Sequence, residues 1–81
     1  MDIKILGSGC RQCITLEEHA RRQAAELGIE PSIATIHDPV AIAGYGVMRR
    51  PALVIDERVV VAGRVPAAEE VRSLLMAASQ D

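Results

Sequence analysis

"LGSGCRQCITLEEH", residues 6–19, is the stretch that decides the fold, because an apolar run there gives way to a glycine-rich loop and then to a helical pattern. It contains both cysteines of the chain, Cys10 and Cys13, with two residues between them. The pair therefore stands where a strand ends and a helix begins. It is a structural disulfide, half of a metal site or a redox centre.

The segments on either side of this junction have clear periodicities. Before it, "DIKIL" (2–6) predicts a first strand, and Gly-Ser-Gly at 7–9 predicts a flexible loop. After it, apolar residues recur at every third or fourth position, which predicts a helix over residues 11–27. Gly28 then supplies a stop for that helix.

The next segment predicts a second strand and a short second helix. "EPSIATI" (30–36) has a strand-like pattern, and Pro31 indicates a sheet edge because proline cannot donate a hydrogen bond to a sheet ladder. Asp38 is a good N-cap, and Pro39 suits the first position of a helix. The glycines of "GYG" (44–46) end this helix.

Two further apolar runs predict a β-hairpin. "PALVID" (51–56) is continuously apolar over most of its length, as in a strand that is covered on both faces. "VVVA" (59–62) is rich in β-branched residues. Because only Glu57 and Arg58 clearly separate the runs, we expect them to pair as a hairpin.

Pro66 opens a last predicted helix, with Glu69 and Glu70 in its first turn, where the helix dipole favours negative charge. The predicted order is thus βαβαββα. A βαβ crossover makes its two strands parallel, and the hairpin adds antiparallel strands. The fold class is α/β: a four-stranded mixed sheet with helices on both faces, in a single domain over residues 1–81.

Composition excludes several classes of function. The chain has 81 residues, 49% of them apolar, a net charge of −2 and Tyr45 as its one aromatic residue. A basic patch and stacking aromatics, which nucleic-acid binding requires, are both missing. No apolar run approaches the ~20 residues of a membrane span. With no signal peptide evident, we expect a cytoplasmic protein, where cysteine pairs are more often catalytic or metal-binding than structural.

As a structural disulfide, the cysteine pair is poorly placed. A Cys10–Cys13 disulfide closes a loop of only four residues, which the chain-entropy relation makes worth roughly 2 kcal/mol. As a redox centre it is well placed, because the helix N-terminus and Arg11 favour the Cys10 thiolate and lower the pKa of such a cysteine from about 8.5 to roughly 3.5–7.5. Cys13, one turn further on, is expected to be the more buried sulfur.

A metal site remains an alternative. The pair supplies two ligands, and a structural zinc site needs four. His19 lies six residues beyond Cys13, about 240° around the helix, so we interpret it as a solvated residue. His37 follows the second strand and could reach the cysteines, although an exposed loop histidine is the simpler interpretation. A copper or heavy-metal carrier also stays open, although such carriers usually end on a strand.

Three segments carry a family resemblance. "GSGCRQC" (7–13), "YGVMRRPALVID" (45–56) and "VVVAGRVP" (59–66), followed by a final helix, resemble the small thioredoxin-like, glutaredoxin-sized redox-active disulfide proteins. The resemblance spans residues 3–78. It implies a minimal thioredoxin fold with strand order 2-1-3-4.

The resemblance also implies a substrate site around Pro51, as a cis-proline beside the cysteines. The backbone of Arg50, just before it, would pair with an extended substrate as an added strand. The chain departs from the relatives at Arg11-Gln12 between the cysteines, at Arg50, where relatives usually carry Thr, and in having no Trp ahead of Cys10. These departures leave the substrate and the redox potential open.

Several other residues carry weaker expectations. Arg11, Arg49 and Arg50 could form a positive rim that favours an anionic partner, or they are simply solvated surface. Met48 could line the substrate groove or belong to the core. Lys4, in a strand expected to be central, either reaches out at the strand end or faces the buried sulfur. Tyr45 is expected to pack over the second helix.

These features predict a thiol–disulfide oxidoreductase that acts through a Cys10 mixed disulfide, with Cys13 as the resolving cysteine. No organic cofactor is required, because the dithiol carries the electrons. The expected partners are a disulfide-containing protein or a small thiol substrate, and an upstream reductase or glutathione. The alternatives are a metal or metalloid carrier that uses both cysteines, and a non-catalytic thioredoxin-fold adaptor.

Overall fold

The order of secondary structure follows the sequence pattern closely. The structure, a computed structural model, describes residues 1–7 and 11–79. The elements in these ranges are β1 (Asp2–Leu6), α1 (Arg11–Glu26), β2 (Ser32–Ile36), α2 (Pro39–Gly44), β3 (Ala52–Ile55), β4 (Arg58–Ala62) and α3 (Ala68–Ser79). The predicted nucleophile Cys10 and the loop predicted at residues 8–9 lie outside the described residues.

The sheet confirms the predicted fold class and topology. Its strand order is β2-β1-β3-β4. β1 is parallel to β2 and antiparallel to β3, and β3 pairs with β4 as an antiparallel hairpin. This is the α/β arrangement of a minimal thioredoxin fold. β2 lies at an edge, as Pro31 predicts.

The strands send alternate side chains to two different cores. One core lies against α1 and α3 and contains Ile3 and Ile5 from β1. The other lies against α2 and contains Leu6 from β1 and Val54 from β3. Because side chains alternate along a strand, a single sheet can serve helices on both of its faces.

Local signals explain where the helices begin and end. α1 ends before Gly28, whose φ of +72° is a backbone conformation that favours glycine. Asp38 caps α2, since its carboxylate accepts a hydrogen bond from the Val40 amide at 3.1 Å, and Pro39 occupies the start of the helix. Within the described ranges, no helix has the length and apolar character that crossing a bilayer requires.

The prediction of a flexible loop was wrong at Gly7. This residue is buried, and its amide donates to the Ile36 carbonyl at 3.0 Å, which extends the β1–β2 pairing by one step. The hairpin turn is also displaced by one residue. It consists of Asp56 and Glu57, with φ of +48° and +67°, while Arg58 belongs to β4.

Other boundaries differ slightly from those predicted. β2 begins at Ser32 rather than residue 30, and β3 occupies Ala52–Ile55 within the predicted 51–56. Pro66 is buried and precedes α3, which begins at Ala68. The predicted β3 run ends in the hairpin turn at Asp56, whose amide still donates to the Asp2 carbonyl at 2.7 Å.

Candidate active site

Cys13 lies in the first turn of α1, on the side of the helix that faces the sheet. Only 2% of its surface is exposed, and it belongs to the core that α1 and α3 share with β1 and β3. Leu16 and Ala20 follow it at helical spacing and are fully buried. The helical pattern therefore fixes this sulfur beneath the start of the helix.

Gly7 gives the Cys13 sulfur its space. A Cβ atom on Gly7 would overlap Cys13 Sγ, so any larger residue would have to displace the sulfur or the strand. The absence of a side chain at Gly7 thus lets the sulfur pack directly against the end of β1. The close approach of the Cys13 sulfur therefore explains why residue 7 is glycine. Local turn chemistry alone does not reveal this reason.

The antiparallel register brings Pro51 to the same end of the sheet. The β1–β3 pairing ends with Leu6 opposite Ala52, and Gly7 and Pro51 are the residues next to this pair in the chain. Pro51 is buried, the Arg50–Pro51 peptide bond is cis, and the Pro51 carbonyl accepts from the Gly63 amide at 2.9 Å.

A hollow of about 210 Å³ opens beside Cys13. Its wall is formed by residues from α1, from β2 and from the segment after β2: Cys13, Ile14, Glu17, Thr35 and His37. His37 is exposed, as its loop position predicts, yet it shares this wall with Cys13. The topology therefore brings together residues that lie more than twenty positions apart in sequence.

Glu17 is held in place at this hollow. Its Oε1 accepts a hydrogen bond from the Thr35 hydroxyl at 3.0 Å, and its Oε2 lies 3.3 Å from Arg21 Nε. Thr35 lies opposite Ile5 in the parallel β1–β2 register, so its side chain is on the sheet face that α1 covers. Glu17 and Thr35 are residues that the sequence interpretation missed. The signal that could have found Glu17 is its position four residues after Cys13, on the same helix face.

The other predicted site residues lie at the surface. Arg11, Arg49 and Arg50 are exposed. Met48 is 95% exposed, so the core role considered for it is wrong. Its role in a substrate groove, like the positive rim, stays a prediction.

The opposite face of the sheet carries a polar network. Lys4 Nζ donates to the Tyr45 hydroxyl at 3.1 Å and to the Glu57 carboxylate, and the Tyr45 hydroxyl donates to Glu57 Oε2 at 3.2 Å. Lys4 Nζ also lies 3.5 Å from Asp2 Oδ2. Lys4 therefore reaches out rather than facing the sulfur. Tyr45 packs against the α2 core, as predicted, and its hydroxyl joins the network.

This network shifts the pKa values of its two charged ends. The hydrogen bond from Lys4 is the main cause that lowers the pKa of Glu57 below its ordinary 4.5. The hydrogen bonds with Glu57 and then Tyr45 are the main causes that raise the pKa of Lys4 above its ordinary 10.5. Both shifts favour the charged forms, so the pair is ionised across the neutral range.

His19 is not the solvated residue that its helical position suggested. It is partly buried, and its Nδ1 lies 3.2 Å from the Pro66 carbonyl, in the segment that leads to α3. Its contact is therefore on the α3 side of α1, away from the hollow. In the part of the chain that the structure describes, no group of three or more His, Cys, Asp or Glu side chains could hold a metal ion.

The fold and the buried cysteine at its strand–helix junction define a thioredoxin-like α/β protein. The family model for the Thioredoxin_3 thioredoxin domain matches residues 1–76, and the chain belongs to that family. It is 36% identical over 75 residues to a thioredoxin of Methanothermobacter thermautotrophicus. The aligned residues make up 93% of this chain and 97% of the relative. It is 33% identical over 73 residues to a thioredoxin of Methanocaldococcus jannaschii, with 90% and 84% covered.

Proposed function

We propose that this protein is a thiol–disulfide oxidoreductase in which Cys10 attacks a substrate disulfide and Cys13 resolves the mixed disulfide. The observation that carries the proposal is the burial of Cys13 in the first turn of α1, with its sulfur against Gly7. A buried sulfur at that place is protected from outside reagents, and it is close in sequence to Cys10. Such a sulfur suits the second step of the mechanism, in which Cys13 attacks Cys10 of the same molecule.

Cys10 suits the first step because of its place in the chain. It immediately precedes Arg11, the first residue of α1. The first amides of a helix have no partner within the helix, and the helix dipole adds positive potential there. Both effects favour a thiolate, which is the species that attacks disulfides. Arg11, exposed beside it, adds a positive charge.

The two steps balance as a two-electron exchange. The Cys10 thiolate attacks one sulfur of the substrate disulfide, a Cys10–substrate bond forms, and the first substrate sulfur leaves as a thiolate. The Cys13 thiolate then attacks Cys10 Sγ, the Cys10–Cys13 bond forms, and the second substrate sulfur leaves. An upstream reductase or glutathione must reduce the protein again.

The segment around Pro51 is proposed to bind the substrate. Pro51 directly precedes Ala52, which pairs with Leu6, and it therefore lies at the end of the sheet where the Cys13 sulfur packs against Gly7. Arg50, just before it, is exposed and would present its backbone to an extended substrate. Met48 and Arg11 are exposed side chains that could contact the same substrate. The partner would be a disulfide-containing protein or a small thiol.

The proposal is tested by comparing two serine variants in a disulfide-reduction assay with insulin as the substrate. Cys10→Ser should abolish reduction, because the attacking sulfur is lost. Cys13→Ser should stall after the first step and accumulate a mixed disulfide at Cys10, which mass spectrometry of the intact protein detects. Each variant is the matched control for the other. Reduction by Cys10→Ser at the wild-type rate would refute the mechanism.

A further inference from the structure

The side chain of Arg49 lies along the backbone of Gly63, the residue that follows β4. A Cβ atom added to Gly63 would lie 3.3 Å from Arg49 Cβ, 3.5 Å from its Cδ and 4.0 Å from its Cγ. The aliphatic part of Arg49 therefore packs where Gly63 has no side chain. Arg49 is nevertheless exposed. An arginine can pack its stem in this way while its charged end stays in solvent.

The contact with Gly63 places Arg49 beside the proposed substrate site. The Gly63 amide donates a hydrogen bond to the Pro51 carbonyl at 2.9 Å, which fastens the end of β4 to the segment that leads into β3. Arg49 precedes Pro51 by only two residues. The Cys13 sulfur packs against Gly7 at the same end of the sheet. The charge of Arg49 therefore lies at the end of the sheet where a substrate disulfide would react.

The charge of Arg49 is not used within the fold. In the ranges that the structure describes, no carboxylate forms an ion pair with Arg49. Arg64, which follows Gly63, differs in this respect, because its two terminal nitrogens lie 2.7 and 2.5 Å from the carboxylate oxygens of Glu70. An anion that reaches this loop therefore meets one arginine that is already neutralised and one that has no counter-charge.

We propose that Arg49 binds a carboxylate that flanks the disulfide of the substrate, and that the protein therefore prefers acidic substrates. The inference rests on the proposed function, because it names the substrate class of the same site. The planar guanidinium group matches a carboxylate with two parallel hydrogen bonds. Because its stem is already packed on Gly63, Arg49 loses less conformational entropy on binding than a freely moving side chain.

Arg11 and Arg50 are rivals for this role, because both are exposed and both flank residues of the proposed site. Arg50 enters the proposed mechanism through its backbone, and Arg11 through its charge beside Cys10. Arg49 is favoured over them by its contact with Gly63, which restricts the side chain before the substrate binds. The experiment must separate the three.

The experiment mixes the reduced protein with an excess of either of two peptide disulfides, whose cysteine is flanked by glutamate or by glutamine on both sides. Acid quenching and chromatography measure the released peptide thiol at several peptide concentrations. We expect Arg49→Gln to raise the half-saturating concentration of the acidic peptide by about two- to fivefold, the range of an exposed ion pair. The maximal rate should be unchanged, because this contact holds the substrate equally before and during the reaction.

The neutral peptide and a second arginine supply the controls. Arg49→Gln should leave the reaction of the neutral peptide unchanged, which also shows that the variant is folded. Arg58→Gln removes an exposed arginine at the opposite end of β4 and should leave both peptides unchanged. Added salt should reduce the wild-type preference for the acidic peptide, because ions screen exposed charges.

Glutathione disulfide, as a third substrate, distinguishes the two sources of the carboxylate. A defect of Arg49→Gln with glutathione disulfide as well as the acidic peptide would assign any carboxylate near a disulfide, and a defect with the peptide alone would assign an acidic protein segment. Either result supports the inference. Equal defects in Arg49→Gln and Arg58→Gln, an equal defect with the neutral peptide, or a defect confined to Arg11→Gln or Arg50→Gln would overturn it. Reduction of neither peptide by the wild-type protein would instead refute the proposed function.

Discussion

The two faces of the sheet differ in how they accommodate β1. On the face that α1 and α3 cover, Ile3 and Ile5 enter a core of apolar side chains that also contains Cys13. On the face that α2 covers, Lys4 is tied to Tyr45 and Glu57. Neighbouring residues of one strand thus serve opposite purposes. The first face encloses the Cys13 sulfur, and the second provides partners for the charge of Lys4.

The difference shows what each face requires of its surroundings. An apolar side chain is stabilised by any close-packed apolar neighbour. The stability of the first face therefore depends on how completely its side chains fill the core volume. A lysine in a central strand requires partners for its charge, so the second face depends on specific polar atoms. The site therefore lies on the face where packing errors are costly, and we expect substitutions there to have the larger effects.

The largest effect is expected from Leu53→Ala, on the face of the sulfur. Leu53 is fully buried and lies opposite Ile5 and Val61 in the sheet. The cavity should lower the free energy of unfolding by about 2–5 kcal/mol, measured by urea denaturation. Val60→Ala, at a 37% exposed position of the same hairpin, is the matched control and should change it far less. Equal losses would mean that this face does not carry the core.

Gly7→Ala is expected to have the next largest effect. The new Cβ would overlap Cys13 Sγ, and overpacking of this kind costs about 1–3 kcal/mol of unfolding free energy. In the Gly7→Ala/Cys13→Ala double variant the overlap is removed, so the two changes should be less than additive. Gly44→Ala is the control, because a Cβ there meets nothing within 4 Å. Strict additivity would show that Gly7 makes no room for the sulfur.

The smallest effect concerns the second face, where it is present near neutrality and is lost in acid. Because the folded protein lowers the pKa of Glu57 below 4.5, this carboxylate stabilises the fold above that pH, and its contribution is lost as pH falls through the lowered value. Glu57→Gln should therefore be less stable than wild type near neutrality, with a difference that is smaller at an acid pH below 4.5. Urea midpoints at both pH values measure this. A difference that grew in acid would contradict the assignment.

Much of the fold was predictable because its signals are local. Asp38 and Pro39 predict the start of α2, Gly28 predicts the end of α1, and Pro31 predicts an edge strand; the structure has all three features. Each depends on the backbone chemistry of one or two residues. The strand order was implied by family resemblance, because neighbouring strands in a sheet need not be neighbours in sequence.

The candidate site was predictable only in part. The spacing of apolar residues places Cys13 on the buried side of α1, and the structure has it there. The role of Gly7 was missed, since it depends on how closely the helix approaches the strand. His19 was misinterpreted because angular position on a helix does not reveal that another segment, at Pro66, approaches that side.

The sequence by itself determined the order of the elements along the chain, the end of α1, the start of α2 and the faces that become apolar, because these follow from short-range periodicity and capping. Only the tertiary structure decided that the Cys13 sulfur packs against Gly7, that Glu17 meets Thr35 beside it, and that Lys4 reaches Glu57. Those contacts join residues from different elements. Their distances are set by how the helices pack on the sheet, which no local pattern encodes.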